Sequence, residues 1–285
     1  MRSLCYLLPF LSFSAYAQEA DTTQLKRGYT LFHPVPRELL RDVAPDRPGI
    51  SQSAHTVDAG HFQLEADFVR LHREDEQQES RRQLMLADVT LKLGLTRTTD
   101  VQVRLQSWQR ARVVPNPGNP EPGRTTRGVG DLTLRLKQNL FGNDAPHHHV
   151  LALSAYARLP TGQDVGAGRP EYGLAVPYEF DLNGSFDVEA QLEGESRWDR
   201  TSAQRELHLN HSLLADWRFG PAHRLEVFAE GAGFWNTTQR TYQATLNVGP
   251  AVYVAEAIRL DAGVHVPLTN QPRTREVFAG LSVRI

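Results

Sequence analysis

The chain has 285 residues with 31 basic against 33 acidic side chains and a formal net charge of −2, a balance that argues against nucleic acid as a partner. Mean hydropathy is −0.44, and beyond the N-terminus no apolar stretch approaches the ~18 residues of a membrane helix, which excludes a helical membrane protein. A β-barrel stays open, because membrane strands alternate lipid-facing and lumen-facing side chains and average to a polar composition.

In chain order, Arg2, the apolar run Leu4 to Phe13 and the small-x-small Ala15-Tyr16-Ala17 read as a signal peptide over 1–17, cleaved before Gln18. The run is too short to span a bilayer. The single cysteine, Cys5, falls inside it, so the mature chain carries no thiol for a disulfide or a metal. Residues 18–60 form an irregular segment rich in Pro and Arg, with a helical turn or two expected around Pro36 to Val43. From 61 to 285 the pattern has period two. Phe62, Leu64, Ala66 and Phe68 oppose Gln63, Glu65 and Asp67; Met85, Ala87, Val89, Leu91 and Leu93 oppose Asp88, Thr90 and Lys92. Val101, Val103 and Leu105 oppose Gln102, Arg104 and Gln106; Leu132, Leu134 and Leu136 oppose Asp131, Thr133, Arg135 and Lys137. Similar runs centre on Ala155, Val176, Ala190, Leu209, Val227, Leu246, Ala262 and Leu281, which makes twelve strands.

Alternation also occurs in soluble sheet proteins, so other features decide. The runs reach about ten residues, the length of a tilted membrane strand. Connections alternate: long at Arg70 to Arg82, Arg110 to Arg127 and Pro160 to Glu171, tight at Thr96 to Thr99, Gly142 to His149 and Asn183-Gly184. Trp108, Trp198, Trp217 and Trp235 are expected at strand ends, at headgroup level. The last strand runs in phase to Ile285. The expected fold is therefore all-β: a transmembrane antiparallel up-and-down barrel of about twelve strands in a Gram-negative outer membrane. Its partners would be outer-membrane lipid and, through the C-terminal strand, the barrel-assembly machinery.

Twelve strands enclose room for a narrow pore. Parity places Arg104, Arg135, Lys137 and Arg158 on the lumen face from strands three to five. Glu65 and Asp67 face it from strand one, and Glu179, Asp181, Glu189, Glu193, Glu226 and Glu230 from strands six to nine. Opposed arcs of this kind either set a field across a pore or pair with one another and with the N-terminal segment to close it. Asp46, Arg47 and Asp58 are the residues expected to dock that segment in the lumen as a partial plug, with Arg47 forking to a wall carboxylate such as Glu65 or Glu189.

Asp46-Arg47-Pro48-Gly49-Ile50-Ser51-Gln52-Ser53 and Thr56-Val57-Asp58-Ala59-Gly60-His61-Phe62-Gln63-Leu64-Glu65 resemble the N-terminal signature of the outer-membrane transporter family associated with the phenol-degradation meta-pathway. Gly128-Val129-Gly130-Asp131-Leu132, Leu159-Pro160-Thr161-Gly162, Leu260-Asp261-Ala262-Gly263 and Phe278-Ala279-Gly280-Leu281-Ser282 are similar to it too; His55 stands where Tyr is commoner, and Ile285 departs from the usual aromatic ending. The resemblance implies an outer-membrane channel or transporter that passively admits small aromatic or polar solutes. A non-conducting structural or assembly-related barrel is the alternative. Catalysis is not expected: a lipid hydrolase needs Ser and His together on the lipid face, and Ser212 points away from the outward His211. No cofactor or metal is expected; His147-His148-His149 reads as a solvated turn.

Overall fold

The computed structural model describes residues 25–76, 78–118, 122–144, 149–162, 164–200, 202–270 and 273–285. The expected signal peptide and His147-His148 lie outside them.

Among the described residues twelve antiparallel strands close on themselves. They are β1 (Phe62–Asp75), β2 (Glu79–Thr96), β3 (Thr99–Pro115), β4 in two pieces (Arg124–Gly128 and Leu132–Phe141), β5 (His149–Leu159) and β6 (Glu171–Asp181). There follow β7 (Phe186–Asp199), β8 (Gln204–Phe219), β9 (Leu225–Asn236), β10 (Thr241–Ala255), β11 (Ile258–Pro267) and β12 (Arg273–Arg284). Each strand pairs with its sequence neighbours, and β12 returns to β1 in the register Glu65↔Ser282. Among the described residues only the short piece Arg124–Gly128 is paired on one side alone, and closure removes the long sheet edges, as a strand protein needs in lipid, where unpaired backbone groups have no water to bond.

The distribution of side chains is inverted relative to a soluble protein. Leu192 and Leu213 on the outside are 68% and 60% exposed, with Phe68, Leu136, Leu174 and Val277 beside them on the same face. Among the described residues the largest fully buried side chains are, apart from Phe278, polar: Lys26, Lys92, Lys137, Gln102, Glu230 and Asn247. Period two produces this directly, one phase meeting lipid and the other the lumen.

Three local expectations differ from the fold. The connections Arg70 to Arg82 and Arg110 to Arg127 are mostly ladder, with Arg73↔Arg82 and Asp75↔Ser80 still paired, so β1, β2 and β3 run well past their apolar parts. The extensions of β1 and β2 are largely polar on both faces, which hid their period, and that of β3 sets Ala111 and Val113 against Arg110 and Arg112. Trp108 consequently lies inside β3 rather than at its end; Trp198, Trp217 and Trp235 sit close to the ends of β7, β8 and β9. Met85 faces the lumen, almost wholly buried, because the phase of the wall shifts here: β1 bulges between Asp67 and Val69, and Ala87 takes φ 53.

The N-terminal segment lies inside the barrel. Instead of the helical turns expected around Pro36 to Val43, only a 3-10 turn forms, at Arg37–Leu39. Leu31 N–H donates to the Leu95 carbonyl (2.8 Å) and Gly60 N–H to that of Gly94 (2.9 Å). A Cβ on Gly94 would overlap the backbone of Val57 and Asp58, so the segment crosses β2 where only glycine allows it.

Candidate functional site: an occupied, charge-sorted lumen

Eight consecutive residues of the segment, 46–53, meet the wall around most of its circumference. The stretch bends at Asp46 and again over Pro48 to Ser51, so its carboxylate, guanidinium and N–H groups point outward to different strands.

On one side the Asp46 carboxylate accepts from Lys137 Nζ (2.8 Å, β4), pairs with Lys92 Nζ (2.8 Å, β2) and lies 3.5 Å from Arg135. Burial alone would raise its pKa, but Lys137, Lys92 and Arg135 together hold it well below the usual carboxylate range. Lys92 also pairs with Glu65 (2.5 Å), which accepts the Asp46 N–H. Lys137 donates a second bond to the Ser53 carbonyl (2.8 Å), so one fully buried lysine holds both ends of the stretch.

Arg47 reaches the opposite way. Its guanidinium pairs with Asp261 (2.6 Å, β11) and Asp67 (β1), 5.6 Å above the Phe278 ring. The expected partners Glu65 and Glu189 are therefore corrected to Asp67 and Asp261: the 46–53 stretch runs across the lumen, and Arg47 leaves it on the β1–β11 side. Arg259 donates to the Arg47 carbonyl (2.8 Å).

Glu230 on β9 gathers the N–H groups of Ile50 (2.8 Å) and Ser51 (2.7 Å) and the Ser51 hydroxyl (2.7 Å), with Asn247 Nδ2 as a further donor (2.8 Å). A lone carboxylate can be fully buried here because each oxygen accepts charge-assisted bonds. Ser51 also meets Ser212 (2.8 Å, β8); Gln52 N–H donates to Gln191 (2.9 Å, β7), and Ser154 (β5) to Gln52 (3.1 Å). Ser53 Oγ donates to Glu179 (3.3 Å, β6).

Asp58 does not dock the segment to the strands. It pairs with Lys26 (3.1 Å) and Arg41 (3.2 Å), which both also meet Asp144, just past the end of β4 (3.0 and 2.8 Å). Asp58 thus ties the segment to itself, an error invited by its place in the motif. Burial raises the Asp144 pKa, and Arg41 and Lys26 outweigh it, so the net direction is down.

The remaining expected lumen residues face inward without touching the segment. Arg104 pairs with Asp88 (2.6 Å) and Arg158 with Glu171 (2.5 Å), both between adjacent strands. Glu193 accepts from Tyr156 Oη (2.7 Å), Glu226 from Arg259, and Asp181 caps its own turn at Asn183 N–H (2.8 Å). Lys92, Gln191, Ser212 and Asp261 were in the polar phase of their strands but nothing singled them out; Lys26 and Asp144 had no signal at all.

Between the segment and the acidic arc an open cavity of about 400 Å³ remains, lined by Leu39 to Pro45 and by Glu179, Asp181, Glu189, Leu214, Asp216, Phe228 and Tyr253. It lies at the end of the barrel that carries Phe62 and Ile285. His211 faces outward and stacks on Tyr242, with ring centroids 6.0 Å apart, while Ser212 faces inward. Among the described residues no three His, Cys, Asp or Glu form a metal-binding group.

A closed twelve-stranded barrel, apolar outside and polar within, is an outer-membrane β-barrel. The chain belongs to the family described as "Putative MetA-pathway of phenol degradation", whose model matches residues 45–285, in agreement with the resemblance seen in the motifs. No curated protein matches it. In fold it is similar to an outer membrane channel from Pseudomonas putida F1, at a TM-score of 0.63 and 15% identity over 84% of this chain and 99% of that one. It is also similar to the β domain of the Bordetella autotransporter BrkA (TM-score 0.53, 13% identity, 79% and 99% covered). The transport unit of the Escherichia coli autotransporter AIDA-I is a third such fold (TM-score 0.52, 8% identity, 78% and 89% covered).

Proposed function

We propose that this protein is a passive outer-membrane channel for small polar or aromatic solutes, restricted by its own N-terminal segment and without catalytic activity. The observation that carries this reading is the charged, partly open lumen: a purely structural barrel can be filled by side chains, whereas here a separate segment enters it and still leaves a cavity of about 400 Å³. The chain reaches the membrane by a cleaved signal peptide and the barrel-assembly machinery, with Phe62 and Ile285 at the periplasmic end. Reconstituted full-length protein should give small conductance steps in planar bilayers, and deletion of Gln18 to Ser53 should enlarge them while heat-shifted electrophoretic mobility shows an intact barrel. Silence from both proteins would sink the channel reading.

One observation favours the alternative of a non-conducting barrel: the 46–53 stretch bonds to β1, β2, β4 through β9 and β11, bracing the wall like a strut. In that case deletion would lower the barrel's unfolding temperature and leave bilayers silent.

A further inference from the structure

The acidic side of the lumen is under-compensated, and the deficit faces the cavity. The wall's two bases there are already engaged: Arg218 by Asp187 and Arg259 by Glu226. The segment's bases that line the cavity are held as well: Arg47 by Asp67 and Asp261, and Lys26 and Arg41 by Asp58 and Asp144. Among the described residues Glu179 has only the Ser53 hydroxyl and His55 at 3.7 Å. Among the described residues Glu189 and Asp216 form neither a hydrogen bond nor an ion pair, although both line the cavity and Asp216 is only 9% exposed. A carboxylate removed from water without a partner is costly, and several together repel one another, so the site lacks a positive charge.

The lining beside these acids is apolar: Leu214 is the cross-strand neighbour of Glu189, and Phe228 that of Asp216. Leu214, Phe228 and Tyr253 come from β8, β9 and β10, and the Phe228 ring is almost fully buried. Apolar surface with an aromatic face beside carboxylates suits an ammonium attached to a short hydrophobic body, and a hydrated metal ion would gain nothing from the rings. The volume, about 400 Å³, falls within the roughly 300–1,000 Å³ of small-molecule sites.

We propose that this cavity binds a small organic cation, an amine carrying an apolar or aromatic body, with Glu189 and Asp216 as its counter-charges and Phe228 as its apolar floor. This deepens the channel reading by naming a solute class, but binding is read without any conductance, so each can fail alone.

The test is calorimetric titration of the full-length detergent-folded protein with benzylamine, benzyl alcohol, benzoate and calcium chloride. Benzylamine should bind saturably, benzyl alcohol and benzoate at least tenfold more weakly, and Asp216→Asn and Glu189→Gln should each weaken benzylamine by at least tenfold. Heat-shifted mobility checks that each variant is folded, and should either fail to fold, the neutral analogue still decides. Absent benzylamine binding, equal binding of benzyl alcohol, unaltered affinity in folded variants, or calcium binding that excludes the amine would each overturn the proposal.

Discussion

Two arcs of one lumen wall solve the same electrostatic problem differently. On β2 and β4, Lys92, Arg135 and Lys137 converge on a single carboxylate, Asp46, and the two lysines are wholly buried. Across the barrel the arc from β6 to β9 carries more carboxylates than bases, and the segment offers it mainly N–H groups and hydroxyls. In the first arrangement every charge has an opposite charge within reach; among the described residues the second keeps a cavity and two acids outside any ion pair. A full ion pair in a narrow space fixes geometry, while dipolar contacts leave charge unneutralised. The basic arc is accordingly the anchor of the segment and the acidic arc its open side.

The comparison breaks most severely at Asp46. Asp46→Lys sets a cation against three others, and loss of one partner of a buried pair costs about 3–5 kcal/mol. The segment should leave the lumen, seen as rapid protease cleavage before residue 60 in a barrel that still shows heat-shifted mobility. Cleavage no faster than in the parent would mean that the anchor lies elsewhere.

Acid should act in the same direction by titration. The Asp46 pKa is depressed in the docked state and ordinary, near ~3.9, when released. A depressed carboxylate contributes its stabilisation above the released value and loses it as pH falls through the window below, so docking should hold at pH 5 and 7 and weaken from about pH 4 downward. Single-channel conductance should rise over that range. Asp46→Asn, lacking the titrating group, should lose the step, and an identical step in that variant would assign it to the acidic arc.

The smallest effect belongs to the open side. Ser51→Ala removes the hydroxyl's bonds to Glu230 and Ser212 but leaves the two backbone N–H donors, at a cost of about 1–2 kcal/mol. Protease protection of the segment should fall by severalfold, far less than with Asp46→Lys. A loss as large as that variant's would reverse the ranking of the arcs.

Legibility differed between these parts. The wall was readable because lipid and lumen impose period two on every strand that crosses the membrane. Where that constraint ended, reading ended too: the extensions of β1 and β2 are largely polar on both faces, and the phase shift near Ala87 moved Met85 to the inside. Asp46 and Arg47 were legible as charged residues beside prolines, whereas Asp58 served the segment's own knot with Lys26 and Arg41.

The sequence by itself determined an all-β barrel of twelve strands, its lipid face, and which charges turn inward, because each follows from spacing along a single strand. Tertiary structure alone decided which of those charges meet. Asp46 and Lys137 are 91 residues apart, and Arg47 and Asp261 are 214 apart. Such pairs come into register only when β12 closes on β1 and the segment crosses the lumen, so the partners of each charge, and the acids left without any, are properties of the closed barrel.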